Sequence, residues 1–191
     1  VHFAKGGNGF IHLGRYHGTA VAVKYLSDEM PEMYKKEVRM WCKLRHPNVL
    51  QLLGLSLTPA RLMIVMELME KSLFDVLHDS TVGLEWGRRV ELAHGIAAGL
   101  SYIHSREAVH RDIKSLNVLV RGREVKIADF GSTRGLEWMQ ETTNQAGTMA
   151  WLAPELFSNA SPSSKVDVYA FGAGMFELAT REIPCRGYGP A

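Results

Sequence analysis

The stretch "VHRDIKSLNVLV", Val109–Val120, sets His110, Arg111, Asp112, Lys114 and Asn117 inside eight residues, with apolar sequence on both sides. Before it runs "WGRRVELAHGIAAGLSYIHSR", in which Leu92, Ile96, Leu100 and Ile103 recur at helical spacing and predict a long amphipathic helix. After it, "NVLV" and "EVKI" read as a short strand pair. A solvated loop can scatter its charges. One clamped between a core helix and core strands holds its polar groups in fixed positions, and such crowding is costly unless the groups pair or work together.

Working outward, the first third of the chain is β-rich with one helix. "GFIHLGRYHGTAVAVKYL" gives two β-type runs joined by a Gly-containing turn, with Val21, Val23 and Tyr25 alternating with Ala22, Lys24 and Leu26. "PEMYKKEVRMWCKLR" predicts a helix opened by Pro31, and "HPN" ends it. "VLQLLGLSL" and "RLMIVMEL" follow as two candidates for buried strands. From about Ser72 the character becomes helical, ending with the apolar helix "VDVYAFGAGMFELAT". The natural partition is a small β-rich lobe, residues 1–69, and a helical lobe, residues 70–191.

Several residues stand out chemically. "AKGGNGFI", Ala4–Ile11, is a glycine-rich turn whose backbone N–H groups could approach an anion, although a plain hairpin turn is the simpler reading. It leads into a strand rather than a helix, which argues against a dinucleotide-binding loop. Lys24 lies on an apolar strand face, either snorkelling to water or paired. Glu37 sits within a helical apolar stripe of Met33, Met40 and Trp41. Each is the partner the other lacks, so a Lys24–Glu37 ion pair is expected. "ADFG", Ala128–Gly131, follows the strand "EVKI" and could be a structural turn. With Asp112, Lys114 and Asn117 it supplies carboxylates and an amide oxygen suited to a hard cation such as magnesium.

Taken in order, the degenerate glycine loop, "VAVK", a helix Glu, "HRDIKSLN", "DFG", "GTMAWLAPE" and "DVYAFG" resemble the signature of eukaryotic protein kinases. The resemblance is strongest to the tyrosine-kinase-like group of serine/threonine kinases and covers essentially the whole chain. It implies an α+β, two-lobed protein-kinase-like fold and transfer of the ATP γ-phosphate to a protein hydroxyl. The alternative is a kinase-like, non-catalytic interaction module; such modules commonly lack one of the five polar residues that Lys24, Glu37, Asp112, Asn117 and Asp129 supply here.

The resemblance also implies roles for individual residues. Ala4, Gly6 and Gly9 would form the phosphate loop, with alanine in place of the usual first glycine. Lys24 would hold the α- and β-phosphates, positioned by Glu37. Ile11 and Ala22 would cover one adenine face and Leu119 the other. Met66 matches the gatekeeper position, and the backbone of Glu67 and Met69 faces the adenine edge. Asp112 becomes the base that orients the acceptor hydroxyl, Lys114 the γ-phosphate ammonium, and Asn117 and Asp129 the magnesium ligands. His110 and Phe130 read as packing residues that continue to Trp41 and Leu52 in one stack. Asp167 would anchor the catalytic-loop backbone. Arg111 beside the base implies control by phosphorylation of the segment from Asp129 to Glu155, with Thr142 and Thr143 as acceptors and Thr148 as a structural residue.

Composition narrows the remaining classes. The 191 residues are 46% hydrophobic and 22% charged, with a net charge of +2, so no clustered basic face points to nucleic acid or membrane. Cys42 and Cys185 lie far apart without metal-ligand spacing, which fits a reducing, cytoplasmic compartment. No run is long enough to span a bilayer. The expected partners are ATP, a protein substrate and an upstream or autophosphorylating kinase activity. Both ends look cut from something longer. Family members carry further helices after "DVYAFG", so an incomplete helical lobe, an unpaired Glu155 and an exposed apolar patch around the Phe171–Leu178 helix are expected.

Overall fold

The computed structural model describes residues 2–6, 9–26, 38–58, 61–130, 149–157 and 163–184. Strands β1 (His2–Gly6), β2 (Gly9–Tyr16), β3 (Thr19–Leu26), β4 (Leu52–Thr58) and β5 (Arg61–Glu67) form one sheet in the order β1-β2-β3-β5-β4. All its pairings are antiparallel. His17 and Gly18 join β2 to β3 with φ of 45° and 82°. Two positive φ values in a two-residue loop make a turn whose twist matches the flanking strands, so Tyr16 faces Thr19 and the register of β3 is set. That register places Ala22 opposite Met66 and Lys24 opposite Ile64.

Of the two strands expected to be buried, β5 is central, while β4 is an edge strand with Leu53 and Leu55 exposed. An unbroken apolar run cannot reveal which faces of a strand are covered, because that depends on what packs above it.

The remaining elements are β6 (Lys71–Ser72), α1 (Leu73–His78), α2 (Trp86–Ser105), β7 (Val118–Arg121), β8 (Glu124–Ile127) and α3 (Lys165–Thr180), with β6-β7-β8 as a second, small antiparallel sheet. Ser72 and Asp75 form a reciprocal capping box that starts α1 where β6 ends. On α2, Leu92, Ile96, Leu100 and Ile103 are all buried, as their spacing predicts. Gly95 and Gly99 lie on the same buried face. A Cβ on Gly95 would come 2.3 Å from a Val125 methyl, and one on Gly99 would come 2.7 Å from the Asn48 carbonyl oxygen. Hydrogen alone lets α2 sit this close to β8 and to the 48–50 segment.

Among the described residues, two backbone hydrogen bonds join the β-rich and helical parts. Leu50 N–H donates to Ile127 O and Ile127 N–H donates to Asn48 O, clamping the "PNVL" segment onto β8. At the end of β5, Glu67 N–H bonds upward to Gln51 O, whereas Glu70 N–H bonds downward to Val120 O. One core cluster runs through both parts, from Ala22, Ile64 and Met66 to Ile103, Val118 and Leu178. Along α3, Val168, Tyr169 and Phe176 are exposed, but Phe171 is half-buried and Leu178 buried, so the exposed apolar side chains lie mostly ahead of the expected Phe171–Leu178 stretch. Glu155 does not stand alone as expected: half-buried, it has an interaction partner. Among the described residues no helix is long and apolar enough to cross a membrane.

Candidate active site

The first part of the loop between α2 and β7 is held from below by the Asp167 carboxylate. Asp167, fully buried near the start of α3, accepts the His110 N–H at 2.8 Å, the Arg111 N–H at 2.7 Å and His104 Nε2 at 2.8 Å. Two consecutive backbone donors can converge on one carboxylate only if the chain bends sharply, and Arg111 has φ of 68° to do so. That left-handed conformation costs a non-glycine residue about 1–2 kcal/mol, which the carboxylate contacts offset.

His110 is oriented through both ring nitrogens. Its Nδ1 accepts the Asp112 N–H at 3.3 Å, so Nε2 carries the proton and donates to Ala128 O at 2.9 Å. Its ring meets Phe130 edge-on with centroids 5.0 Å apart, and Phe130 stacks on Trp41 at 5.5 Å. Trp41 in turn donates its indole N–H to Leu50 O at 2.7 Å. Three members of the expected stack, His110, Phe130 and Trp41, thus meet in sequence, and Leu52 is buried in the same core.

Asp112 is buried and doubly served. Lys114 Nζ lies 2.8 Å from each of its carboxylate oxygens, and Asn117 Nδ2 donates to its Oδ2 at 2.7 Å and to its backbone O at 2.8 Å. Burial pushes the Asp112 carboxyl above the usual range, and the Lys114 ammonium pulls against that shift. Both donor hydrogens of Asn117 are spent on Asp112, so any metal contact falls to its carbonyl oxygen. A single 3₁₀ turn, Ser115–Asn117, sets this geometry, and Ala128 N–H closes it by donating to Asn117 O at 2.8 Å.

Asp129 follows directly, with φ of 62°. This second left-handed residue turns its carboxylate towards β3, where Lys24 Nζ lies 3.4 Å from Oδ1. Glu37, the expected partner of Lys24, lies outside the described residues, as do Ser132, Thr133, Thr142, Thr143 and Thr148. Among the described residues Lys24 thus pairs with Asp129. Ala4, Gly6 and Gly9 lie on the first hairpin, where Gly6 faces Gly9. Ile11 and Leu119 are half-buried at the margin of the core, and Ala22, Met66 and Met69 are buried in it. The Glu67 side chain is held by Gln51 N–H at 2.6 Å and by Lys126 Nζ at 3.0 Å.

The pairing fits a divalent cation. Asp129 is partly exposed, and Asn117 spends its amide N–H groups on Asp112 and so keeps its side-chain oxygen as an acceptor, which leaves a carboxylate and an amide oxygen as donors. Magnesium characteristically takes one or two protein oxygens and completes its shell with phosphates and water.

Reading the sequence missed three contributors. His104 is the third donor to Asp167, Lys126 fastens Glu67, and Glu177 is a fully buried carboxylate that bonds Ser115. Only Glu177 left a signal, as the lone acid within the apolar run "AFGAGMFELAT".

Comparison with known proteins bears on the same constellation. The family described as "Protein tyrosine and serine/threonine kinase" matches residues 2–190. The probable serine/threonine-protein kinase drkA of Dictyostelium discoideum is 37% identical over 199 aligned residues, covering 100% of this chain and 31% of drkA. Serine/threonine-protein kinase CTR1 of Arabidopsis thaliana is 37% identical, covering 97% of this chain and 24% of CTR1. The probable serine/threonine-protein kinase SIS8 of the same plant is 38% identical over 94% of the chain. The chain spans less than a third of the length of these relatives.

Proposed function

This chain belongs to the protein tyrosine and serine/threonine kinase family, and from that premise we propose that it transfers the γ-phosphate of ATP to a serine or threonine hydroxyl of a protein substrate. The observation that carries the reading is that two contact groups, Lys24–Asp129 and Lys114–Asp112–Asn117, are tied together by the Ala128 N–H bond to Asn117 O. The lobes divide at Met69 and Glu70, where backbone bonding passes from the upper sheet to the lower one.

ATP would enter with its adenine between Ile11 and Ala22 above and Leu119 below, its edge on the backbone of Glu67 and Met69, and Met66 behind it. Ala4, Gly6 and Gly9 would offer backbone N–H groups to the phosphates. Lys24 would hold the α- and β-phosphates, exchanging Asp129 for them. Asn117 and Asp129 would hold magnesium, which neutralises phosphate charge when bound. Asp112 orients the attacking hydroxyl, and the upward push of burial on its carboxyl suits it to take the hydroxyl proton as transfer completes. Lys114, poised on Asp112, stabilises charge developing on the γ-phosphoryl oxygens. Arg111 has a buried Nε without a hydrogen-bond partner among the described residues, which suits it to meet a phosphate on Thr142 or Thr143. Dependence on ATP and a free Cys42 fit a cytoplasmic setting.

The test is transfer of labelled γ-phosphate to a generic protein substrate with magnesium, comparing the wild type with Lys24→Met and Asp129→Asn. Signal confined to the wild type supports the reading, and equal signal in all three removes it. Mass spectrometry of the same incubation locates phosphate; its absence from both Thr142 and Thr143 would remove the activation proposal.

A further inference from the structure

We propose that Glu177 is a positioning residue for phosphoryl transfer, acting on Lys114 and Asn117 through Ser115. The inference rests on the kinase reading above for its catalytic consequence, but not for its geometry. Ser115 opens the one-turn 3₁₀ segment that ends at Asn117, and it follows Lys114 directly. Its hydroxyl is buried and donates to Glu177 Oε1 at 2.7 Å, across 62 residues of sequence. The same oxygen accepts His78 Nε2 at 2.9 Å, and that imidazole lies against Phe74 with centroids 4.2 Å apart.

Glu177 is fully buried, yet Oε2 has no hydrogen-bond partner among the described residues. A carboxylate in such a place is a poor source of stability, since an apolar side chain of similar volume would fill it at lower desolvation cost. What the carboxylate adds is direction. Asp167 and Glu177 stand about 15 Å apart along α3, and each grips the same loop, one at the His110–Arg111 backbone and the other at Ser115. Asp167 fixes the loop's entry and Ala128 N–H fixes the end of the 3₁₀ turn at Asn117 O, which leaves its start at Ser115 for Glu177 to hold. Arg181 keeps the second grip in register. Just beyond α3, its guanidinium bonds the carbonyls of residues 76, 77, 79 and 82, which locks the end of α1 bearing His78 beside Glu177.

The experiment compares the wild-type protein with Ser115→Ala, Glu177→Leu, Glu177→Gln and the double Ser115→Ala/Glu177→Leu variant. Loss of one typical buried hydrogen bond corresponds to about a five- to tenfold effect. Ser115→Ala and Glu177→Leu should each lower kcat by about that factor, with KM for ATP within about twofold. The double variant should be no slower than the slower single one, because both remove one interaction. Glu177→Gln, which keeps an acceptor oxygen, should retain about half the rate or more. Backbone amide exchange at Asn117 should quicken about five- to tenfold in Ser115→Ala, while Ile103 in the α2 core stays unchanged. Unchanged exchange at Asn117, or rate losses that multiply in the double variant, would overturn the proposal. Should Glu177→Leu fail to fold, Ser115→Ala and its exchange profile decide alone. Should the wild type transfer no phosphate, the kinase reading fails, and Asn117 exchange still decides whether Glu177 positions the turn.

Discussion

Lys24 Nζ and Asp129 Oδ1 stand 3.4 Å apart across 105 residues of sequence, joining β3 of the upper sheet to the second residue after β8. Lys24 is nearly buried and Asp129 is about 29% exposed, so the pair lies at the open edge of the seam. At that edge a phosphate can compete for the ammonium and a cation for the carboxylate. Lys24→Met and Asp129→Asn are therefore expected to lower phosphate transfer by about a hundredfold or more. Thermal stability should move by no more than about 1 kcal/mol, since partly exposed pairs contribute little. Paired kinetic and melting measurements check both.

Asp112 links charge to stability in the opposite sense from an ordinary salt-bridged acid. Burial raises its folded pKa above the unfolded value. Between the two values the folded state holds the extra proton, so stability falls as pH rises; the cost is fully present above the folded pKa and absent below the unfolded one. Asp112→Asn removes that cost. Its melting temperature should exceed the wild type's at neutral pH, the gain should fade on acidification through the carboxylate range, and transfer should drop by about 10²–10⁴-fold. Melting curves across pH, with activity assays, test the sign.

Asp167→Ala should be severe. It strands the N–H groups of His110 and Arg111 in the interior and releases His104. Removing one partner from a buried charged network costs about 3–5 kcal/mol, and denaturant titration of the variant should show a loss of that order.

Two glycines in α2 should respond oppositely to alanine. Gly87 has open space around it, so Gly87→Ala should stabilise by about 0.5–1 kcal/mol through helix propensity. At Gly99 the new methyl would press on the Asn48 carbonyl and the Ile127 side chain, so Gly99→Ala should destabilise by about 1–3 kcal/mol. Melting temperatures of the two variants give the comparison directly.

Much of the fold was legible because periodicity reports local structure. The buried positions Leu92, Ile96, Leu100 and Ile103 follow from helical spacing, and the β2–β3 hairpin follows from alternation around a Gly-containing turn. Exposure of Leu53 and Leu55 was not legible, because β4's place at the sheet edge depends on strand order. Within the site, Asp112, Lys114 and Asn117 were readable as a group, since one 3₁₀ turn brings close neighbours together whatever surrounds them. The Asp129 partner of Lys24 was not, and neither was the third donor to Asp167. Both are contacts between residues far apart in sequence.

By itself, then, the sequence determined which residue types are present, how they are spaced, and the kinase family those spacings resemble. Local geometry follows from such information because a turn or a helix is set by adjacent dihedral angles and side-chain periods. Tertiary structure alone decided which carboxylate meets which donor: Asp129 with Lys24, Asp167 with the bent backbone at Arg111, and Glu177 with Ser115 and His78. Those choices rest on desolvation. A charge taken out of water must find its partner among whatever groups the packed elements bring within about 3 Å, and that set exists only once the lobes have closed on their common core.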